Sequence, residues 1–487
     1  MIMLASPAYA LELLKVHPDN PIYFQAGDNS QALYLSGAYA ARSLQDLEGY
    51  PFPFAAHLKT LVDNDMNLTT LVSRVGGSSA GFFLDPTIYR RSSGSGTALD
   101  GGAKFDLTQL NDAYFERLKQ RVSDLNDNGV YVIYTLFNSF DGERKQYREY
   151  ILFEKNPFNI NNNINNIDVD TNANDIGEEL YRLPLPTHIK AIQEAYIKRV
   201  VDTLNPFNNV LYEVCNECLI DSKDWQIWVS ESIKNYQGPK TKQHLVGISG
   251  IFYGISNIEL AQSPATDWWQ PGAFKPQPRS LWDRLITLDW RQAKPDSQSA
   301  AFELFTSPPS ASGEFGNKPI IFNSDHFRPS AVTVDWVWKS ISRGLHPLSY
   351  ETRNLKKTGA KAHTAGLFLN GERDSENVHA TIKSTRYFAS KMHLQTMFPV
   401  RSLSSTEYAL ADSGEEYLIY QPDNGPFTVH GLLAKNTYQL EWFNVSLNRT
   451  VASSTIPATG ASMNFTPPFS NGPAILYLKR SSISKQR

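Results

Sequence analysis

Between residues 20 and 355 the chain repeats one pattern: a short, nearly continuous apolar run, then a longer amphipathic stretch. The runs are ALYLSG (32–37), NLTTLVSRV (67–75), GVYVIYTLF (129–137), NVLYEVCNE (209–217), HLVGISGIF (244–252), a weaker one near Ile258–Leu260, PIIFNSD (319–325) and HPLSYE (346–351). A run that is apolar at almost every position suits a parallel strand buried on both faces, because a strand with one wet face alternates. The stretches between the runs are helical. NDAYFERLKQRVSDLNDN (111–128) sets Tyr114, Phe115, Leu118, Val122 and Leu125 on one face. THIKAIQEAYIKRVVDTL (187–204) and VDWVWKSISRGL (334–345) behave similarly, which makes Trp336 and Trp338 core residues. Asn128-Gly129 and Arg343-Gly344 stand where helix stop signals belong. Strands alternating with helices in this number predict a closed (β/α)8 barrel. An open doubly wound sheet would need a Gly-rich phosphate turn after an early strand, and no GxGxxG occurs there.

After residue 400 the texture changes. EEYLIYQP, PFTVHG, TYQLEWFN, ASMNFTPP and PAILYLKR are short alternating runs divided by Pro, Gly and Asn turns. They predict a small antiparallel β-sandwich. At 487 residues the chain is long enough for both units. The expected division is a barrel at 20–398, ending in a helix over 375–397, and a sandwich at 399–487. Residues 1–19 are an N-terminal extension. Its MIMLASPAYA is apolar and ends in A-Y-A like the tail of a signal peptide, but it lacks a basic start. A signal-peptide remnant would make the protein secreted or periplasmic, whereas a plain apolar N-terminus carries no address.

Composition excludes more than it identifies. The net charge of −3 offers no basic surface for nucleic acid. No run approaches the ~20 apolar residues of a membrane helix. Aromatic residues make up 12% of the chain, which suits sugar stacking and an aromatic core equally. Cys215 and Cys218, three residues apart in one segment, cannot form a disulfide framework. With no His or Cys cluster near them they give no zinc pattern either, and no metal or cofactor is expected.

Long insertions follow several strands, at 76–108 and at 138–186, the latter containing NPFNINNNINNIDVDTNAND. Loops at the C-terminal ends of barrel strands build active sites, although Asn-rich segments more often make turns than ligand contacts. The chemistry is sought at the strand ends. Side chains alternate along a strand, so a regular strand would point Glu213, Cys215 and Glu217 one way, with Glu217 last and nearest the open mouth. Glu213 lies deeper and must be paired or protonated. It is read as structural, with Arg74 as its candidate partner. A second carboxyl stands at the end of PIIFNSD: Asp325, followed by His326. Two carboxyls facing each other across a barrel mouth are the apparatus of glycoside hydrolysis. The competing readings are a helix cap or Arg pairing for Glu217, and orientation of His326 for Asp325.

The order of YEVCNE and a later strand ending PII-x-x-x-D resembles clan A glycoside hydrolases, the cellulase-like (β/α)8 enzymes. More narrowly, ALYLSGAYAARSLQDL (32–47), KFDLTQLNDAYFERLKQRV (104–122), NPFNINNNINNI (156–167), SPATDWWQP (263–271) and DWVWKSISRGLHP (335–347) resemble apiosidase-like glycosidases. STEYALADSGEEYLIYQP (405–422) and TYQLEWFN (437–444) resemble the C-terminal domain that such proteins carry under the label collagen-binding. The resemblance covers nearly the whole chain. It implies Glu217 as acid/base, Asn216 as partner of the sugar 2-hydroxyl and Asp325 as nucleophile in a retaining mechanism on a poly- or oligosaccharide. The family has Glu at the nucleophile position, and Asp is shorter by one methylene, about 1.5 Å. That departure leaves open a shifted backbone, an inverting geometry, or a non-catalytic carbohydrate-binding barrel. Glu351, ending the eighth run, is the fallback nucleophile. Arg74 corresponds to an Arg near the nucleophile, or else makes a structural ion pair. His326, Tyr350 and the pair Trp268-Trp269 are candidates to line the sugar pocket, with core packing as the alternative for the tryptophans.

Overall fold

The computed structural model describes residues 11–40, 42–76, 78–79, 82–94, 96–139, 153–218, 222–250, 257–271, 317–324, 333–351 and 375–481. Eight parallel strands form one sheet: β1 (Gly37–Tyr39), β2 (Leu68–Val72), β3 (Tyr131–Asn138), β4 (Val210–Asn216), β5 (Val246–Ser249), β6 (Trp268–Gln270), β7 (Ile321–Asn323) and β8 (His346–Tyr350). Their order across the sheet is β6-β5-β4-β3-β2-β1-β8-β7. The two ends meet through a parallel bridge between Trp269 and Ile320, where the Trp269 N–H donates to the Pro319 carbonyl at 2.9 Å. The sheet is therefore a closed (β/α)8 barrel. Around it lie α1 (Phe54–Asp63), α2 (Asp112–Asp127), α3 (Thr187–Leu204), α4 (Lys223–Gln237), α5 (Asn257–Gln262), α6 (Val334–Ser342) and α7 (Ser375–Lys391).

Alternation along each strand supplies two cores. Leu68, Val72, Ile133, Leu211, Trp268, Ile321 and Leu348 pack together inside the barrel. Leu71, Val132, Tyr134, Val210, Tyr212, Val214, Ile248, Trp269 and Phe322 pack with the helices, including Tyr114, Leu118 and Val122 of α2. Both faces are apolar, which is why the strands read as continuous runs. Helix α2 starts at Asn111, whose side chain accepts from the Ala113 N–H, and α6 starts at Thr333, whose hydroxyl accepts from the Trp336 N–H. Trp336 and Trp338 are core residues, as their helical spacing requires.

Two strands differ from the sequence expectation. The weak run near Ile258–Leu260 is helix α5, and the sixth strand is Trp268–Gln270. Glu259, Leu260, Ala261 and Gln262 are all good helix formers, and a run this short carries no period to outweigh them. The run ALYLSG is divided. Ala32–Leu33 joins Leu14–Val16 and Phe24–Ala26 in a three-stranded antiparallel sheet, and the barrel strand begins only at Gly37. A Cβ on Gly37 would lie 1.8 Å from the Leu68 carbonyl oxygen, so glycine alone lets β1 approach β2. The small sheet closes one end of the barrel, with Leu14, Phe24 and Leu35 belonging to the interior core. Part of the stretch read as an N-terminal extension is thus built into the fold.

Beyond the barrel, Phe398–Pro399, Ala409–Asp412, Glu416–Gln421, Ala474–Arg480, Thr437–Asn444 and Arg449–Pro457 form a six-stranded antiparallel sheet in that spatial order. Phe427–His430 pairs with Ser462–Phe465 to cover one face of it. The alternation is strict. Tyr417, Ile419, Leu476 and Leu478 face this β-layer, whereas Leu418, Tyr420, Ile475 and Tyr477 pack against Trp338, Ile341 and Phe388 of α6 and α7.

Candidate active site

Polar residues gather where the barrel strands end. Ser73, Asn138, Ser139, Ser249, Gln270, Asn323 and Ser324 are all buried at the C-terminal ends of β2, β3, β5, β6 and β7. The lower layers of the same strands are mainly apolar, with Thr69, Thr70 and Thr135 as buried exceptions. The C-terminal mouth is the end at which barrels of this kind assemble chemistry.

Strand β4 delivers Asn216 and Glu217 to this layer. Asn216 is the last strand residue and lies in register with Asn138 of β3. The Asn216 Nδ2 donates to the Asn138 Oδ1 across a long 3.4 Å contact, while Tyr181 O–H donates to the Asn138 carbonyl at 3.1 Å. Glu217 is half-buried and leaves the strand with φ +53°, in the left-handed region. The regular alternation expected at this point is therefore broken: the backbone turns at Glu217 itself. Its carbonyl accepts from the Ser139 hydroxyl at 2.5 Å. On either side of this pair, Cys215 and Cys218 are joined by a disulfide with Cα atoms 6.0 Å apart, and both are fully buried. The cysteines form no framework, as expected, yet they are bonded to each other. In a straight strand residues three apart lie about 10 Å apart, too far for a disulfide, so only the turn at Glu217 makes the bond feasible.

Glu213 lies deeper in the barrel and is buried. It accepts hydrogen bonds from the hydroxyls of Thr135 on β3 and Ser249 on β5. These hydroxyls provide the satisfaction that a buried carboxyl requires. Arg74 follows β2, half-buried, with its backbone clamped by Gln45: the Arg74 N–H donates to Gln45 Oε1 at 2.7 Å and its carbonyl accepts from Gln45 Nε2 at 3.2 Å.

Strand β7 ends in Asn323 and Ser324. Asn323 Nδ2 donates to the Tyr39 hydroxyl at 2.9 Å, and the Tyr39 and Tyr350 rings meet at 5.1 Å. The Tyr350 N–H donates to the Ser324 hydroxyl at 2.8 Å. Tyr350 thus belongs to the mouth layer but is only 8% exposed. Asp325 and His326 follow directly and lie outside the described residues.

Two expectations are corrected. Trp268 and Trp269 are both fully buried, Trp268 inside the barrel and Trp269 against the helices, so neither presents a face to a sugar. The Trp268 ring lies over the backbone of β5, where a Cβ on Gly247 would come within 2.0 Å of it. Glu351, the fallback nucleophile, is held by helices. His57 Nδ1 of α1 and His379 Nε2 of α7 each lie 3.0 Å from its carboxyl oxygens. Burial would raise this carboxyl, but the hydrogen bonds from His379 and His57 and their charge outweigh it and hold it well below the usual range.

The Asn-rich insertion uses its amides on itself. Asn162 Nδ2 donates to the Glu154 and Asn156 carbonyls, and Asn163 Nδ2 to those of Pro157, Asn159 and Ile167. This is turn chemistry rather than ligand contact. What sequence reading missed is the amide partner Asn138 and the Asn323–Tyr39 pair. The signal was present: TLFNS and IFNS end their apolar runs in the same way as EVCNE. Among the described residues no cluster of three or more His, Cys, Asp or Glu could hold a metal ion. Nor, among them, is any helix long and apolar enough to cross a membrane.

The family model of a domain of unknown function, DUF6298, matches residues 71–251, from β2 to just past β5. No curated protein sequence matches the chain. Among solved structures, the chain is similar to one described as a glycoside hydrolase, with 11% identity and a TM-score of 0.60 over 96% of this chain and 97% of that one. A glycoside hydrolase family 5 structure from Bacteroides vulgatus gives 11% identity and a TM-score of 0.60, covering 96% of this chain and 93% of its own. A glycoside hydrolase family 5 mannosidase from Rhizomucor miehei, in complex with mannosyl-fructose, gives 14% identity and a TM-score of 0.50, covering 78% of this chain and 98% of its own. The shared property is the fold: a (β/α)8 barrel, followed in the two higher-scoring matches by structure that extends over almost the full chain.

Proposed function

We propose that the protein is a glycoside hydrolase of the clan A type, cleaving O-glycosidic bonds of a poly- or oligosaccharide with Glu217 as acid/base and Asp325 as nucleophile. The observation that carries this reading is the position of Asn216-Glu217 at the C-terminal end of strand four of a closed parallel barrel. In the first step the Asp325 carboxylate attacks the anomeric carbon while Glu217 protonates the departing oxygen. In the second, Glu217 takes a proton from water as that water attacks the same carbon and Asp325 departs. Asn216, beside Asn138, is the amide suited to hold the sugar 2-hydroxyl. Arg74, His326 and Tyr350 complete the proposed pocket, and no cofactor enters the reaction.

The structural likeness to proteins described as glycoside hydrolases, one of them a mannosidase, supports including mannosides among the substrates to be screened. A screen of plant and microbial polysaccharides with reducing-sugar detection tests the proposal. Glu217→Gln and Asp325→Asn should each lower turnover by 10²-fold or more, in line with the usual size of acid–base contributions. Full activity in both variants would remove the assignment. Product stereochemistry by proton NMR then decides the role of the short Asp325. Retention requires carboxyls about 5–5.5 Å apart and inversion about 6.5–9.5 Å. The Asp in place of Glu also favours one rival, a barrel that binds glycans without turnover, which the same screen separates.

The same reading divides the chain into a catalytic barrel at 20–398 and a C-terminal sandwich at 399–487 that acts as a structural support, rather than as a binder of collagen. The buried Leu418, Tyr420 and Tyr477 contacts to α6 and α7 support that role. A secreted or periplasmic location is supported by the Cys215–Cys218 bond, since disulfides persist in oxidising compartments.

A further inference from the structure

We infer that the Cys215–Cys218 disulfide is a positioning device for the acid/base: it holds Glu217 in its left-handed backbone conformation and thereby aims the carboxyl that protonates the leaving group. The inference rests on the glycoside hydrolase reading above.

Three observations converge on it. The bonded pair encloses the two residues Asn216 and Glu217 and nothing else. Glu217 has φ +53°, a region that side chains other than glycine, asparagine and aspartate rarely occupy and that costs about 1 kcal/mol or more. The Cα separation of 6.0 Å requires this turn, because an extended chain would hold the cysteines about 10 Å apart. Each feature therefore enforces the other. A glutamate released from the bond can return to an extended backbone, which redirects its side chain by a large angle. One hydrogen bond, from the Ser139 hydroxyl to the Glu217 carbonyl, reinforces the turn from β3. Neither sulfur is exposed, so the pair is placed to shape the backbone rather than to react with a substrate. Misplacement of a reacting group by about 1 Å can cost 10²-fold in rate, which makes the geometry at residue 217 worth enforcing covalently.

The test uses leaving-group dependence. A glycoside with a 2,4-dinitrophenyl leaving group departs without protonation, whereas a 4-methoxyphenyl glycoside of the same sugar needs the acid. The sugar is the one selected by the polysaccharide screen. The full-length Cys215→Ala/Cys218→Ala variant, with folding checked by circular dichroism and thermal melting, should lose about tenfold or more in kcat/KM, which reports departure of the leaving group, on the 4-methoxyphenyl glycoside. Its kcat/KM on the dinitrophenyl glycoside should stay within about twofold of wild type, whereas kcat on that substrate falls, because breakdown of the glycosyl-enzyme still draws on Glu217 as base. Wild-type protein treated with a phosphine, which becomes its oxide with oxygen from water as the disulfide takes up two electrons and the two protons of that water to give two thiols, should reproduce the effect if the variant does not fold. Equal losses in kcat/KM on both glycosides, or no loss on either from a folded variant, would overturn the inference. So would two titratable thiols in unreduced, unfolded wild-type protein. Glu217→Gln is measured alongside. A selective loss there with none in the cysteine variant removes only the positioning role, whereas no loss in Glu217→Gln removes the glycosidase reading itself.

Discussion

Glu213 shows how little separates the carboxyl proposed as acid/base from a structural one on the same strand. Four residues below Glu217, it is buried and bound by the Thr135 and Ser249 hydroxyls, one from each neighbouring strand. Truncation would leave both hydroxyls without this acceptor and open a cavity inside the barrel. Glu213→Ala is expected to cost about 3 kcal/mol and to lower the melting temperature. Glu213→Gln should cost clearly less, because a hydroxyl can turn to accept from the amide nitrogen. Calorimetry on the two variants checks this, and an Ala variant as stable as wild type would contradict it. At this scale, residue type and strand position were enough to read Glu213 from the sequence as a buried, hydrogen-bonded carboxyl. The cysteine bond was not readable there, because it depends on a φ angle at Glu217 that no residue type announces. The Trp268-Trp269 pair was ambiguous for a related reason: Trp268 is buried over Gly247 of β5 and Trp269 against the helices, a placement that emerges only when β6 pairs with β5.

Strand β8 ties the barrel to two neighbouring elements, and each tie has its own pH window. At its start, the buried His346 accepts from the Leu35 N–H at Nδ1 (3.0 Å), with Nε2 lying 3.1 Å from the Ile22 carbonyl. The neutral Nε2–H tautomer satisfies both partners. Burial lowers its pKa to about 4, as it does for His244. The unfolded chain therefore binds more protons than the folded one from about pH 6.5 down to about 4. Stability should fall as the pH drops through that window, by roughly 3 kcal/mol for each histidine. His346→Gln keeps one acceptor and one donor without titrating, so urea unfolding of this variant should show a shallower loss. An unchanged pH slope would count against the assignment. At the other end, Glu351 joins β8 to α1 and α7. Its carboxyl is held below the usual range, so its contribution is complete above the unfolded value near 4.3 and is lost as the pH falls further. Glu351→Gln should lower stability near neutral pH yet keep kcat on the screened glycoside within about threefold of wild type, as expected of a residue outside the reaction. A loss as deep as that of Asp325→Asn would return Glu351 to the site. The elements themselves were largely legible, because six of the eight strands fall within apolar runs identified from sequence, to within one residue. β6 escaped because three residues carry no period, and β1 was misplaced because ALYLSG serves two sheets in succession.

At the scale of the whole molecule, the C-terminal sheet is buried on both faces, and this decides how the chain unfolds. Leu418, Tyr420, Phe443, Ile475 and Tyr477 share one core with Trp338, Ile341 and Phe388 of the barrel helices. The Phe443 ring meets Trp338 and Phe388 at 5.5 Å each. Polar ties surround this contact: Tyr420 donates to Asp335 at 2.6 Å, Arg343 Nη2 donates to the Glu407 carbonyl at 2.6 Å, and Lys391 pairs with Glu441. The sequence marked the sandwich by its alternation but not this second buried face, since the inward and barrel-facing residues of EYLIYQ are equally apolar. Removing the sandwich would expose the α6 and α7 side of that core, so a chain ending at residue 398 should be recovered insoluble or lacking native near-ultraviolet dichroism. A gentler perturbation gives the sharper test. Phe443→Ala removes a ring from the centre of the shared core and is expected to cost about 3–5 kcal/mol. If the two units unfold together, calorimetry of the wild type shows one transition, and the variant shifts that whole transition down. Two transitions in wild type, or a shift confined to one of two in the variant, would mean that the barrel stands without its sandwich.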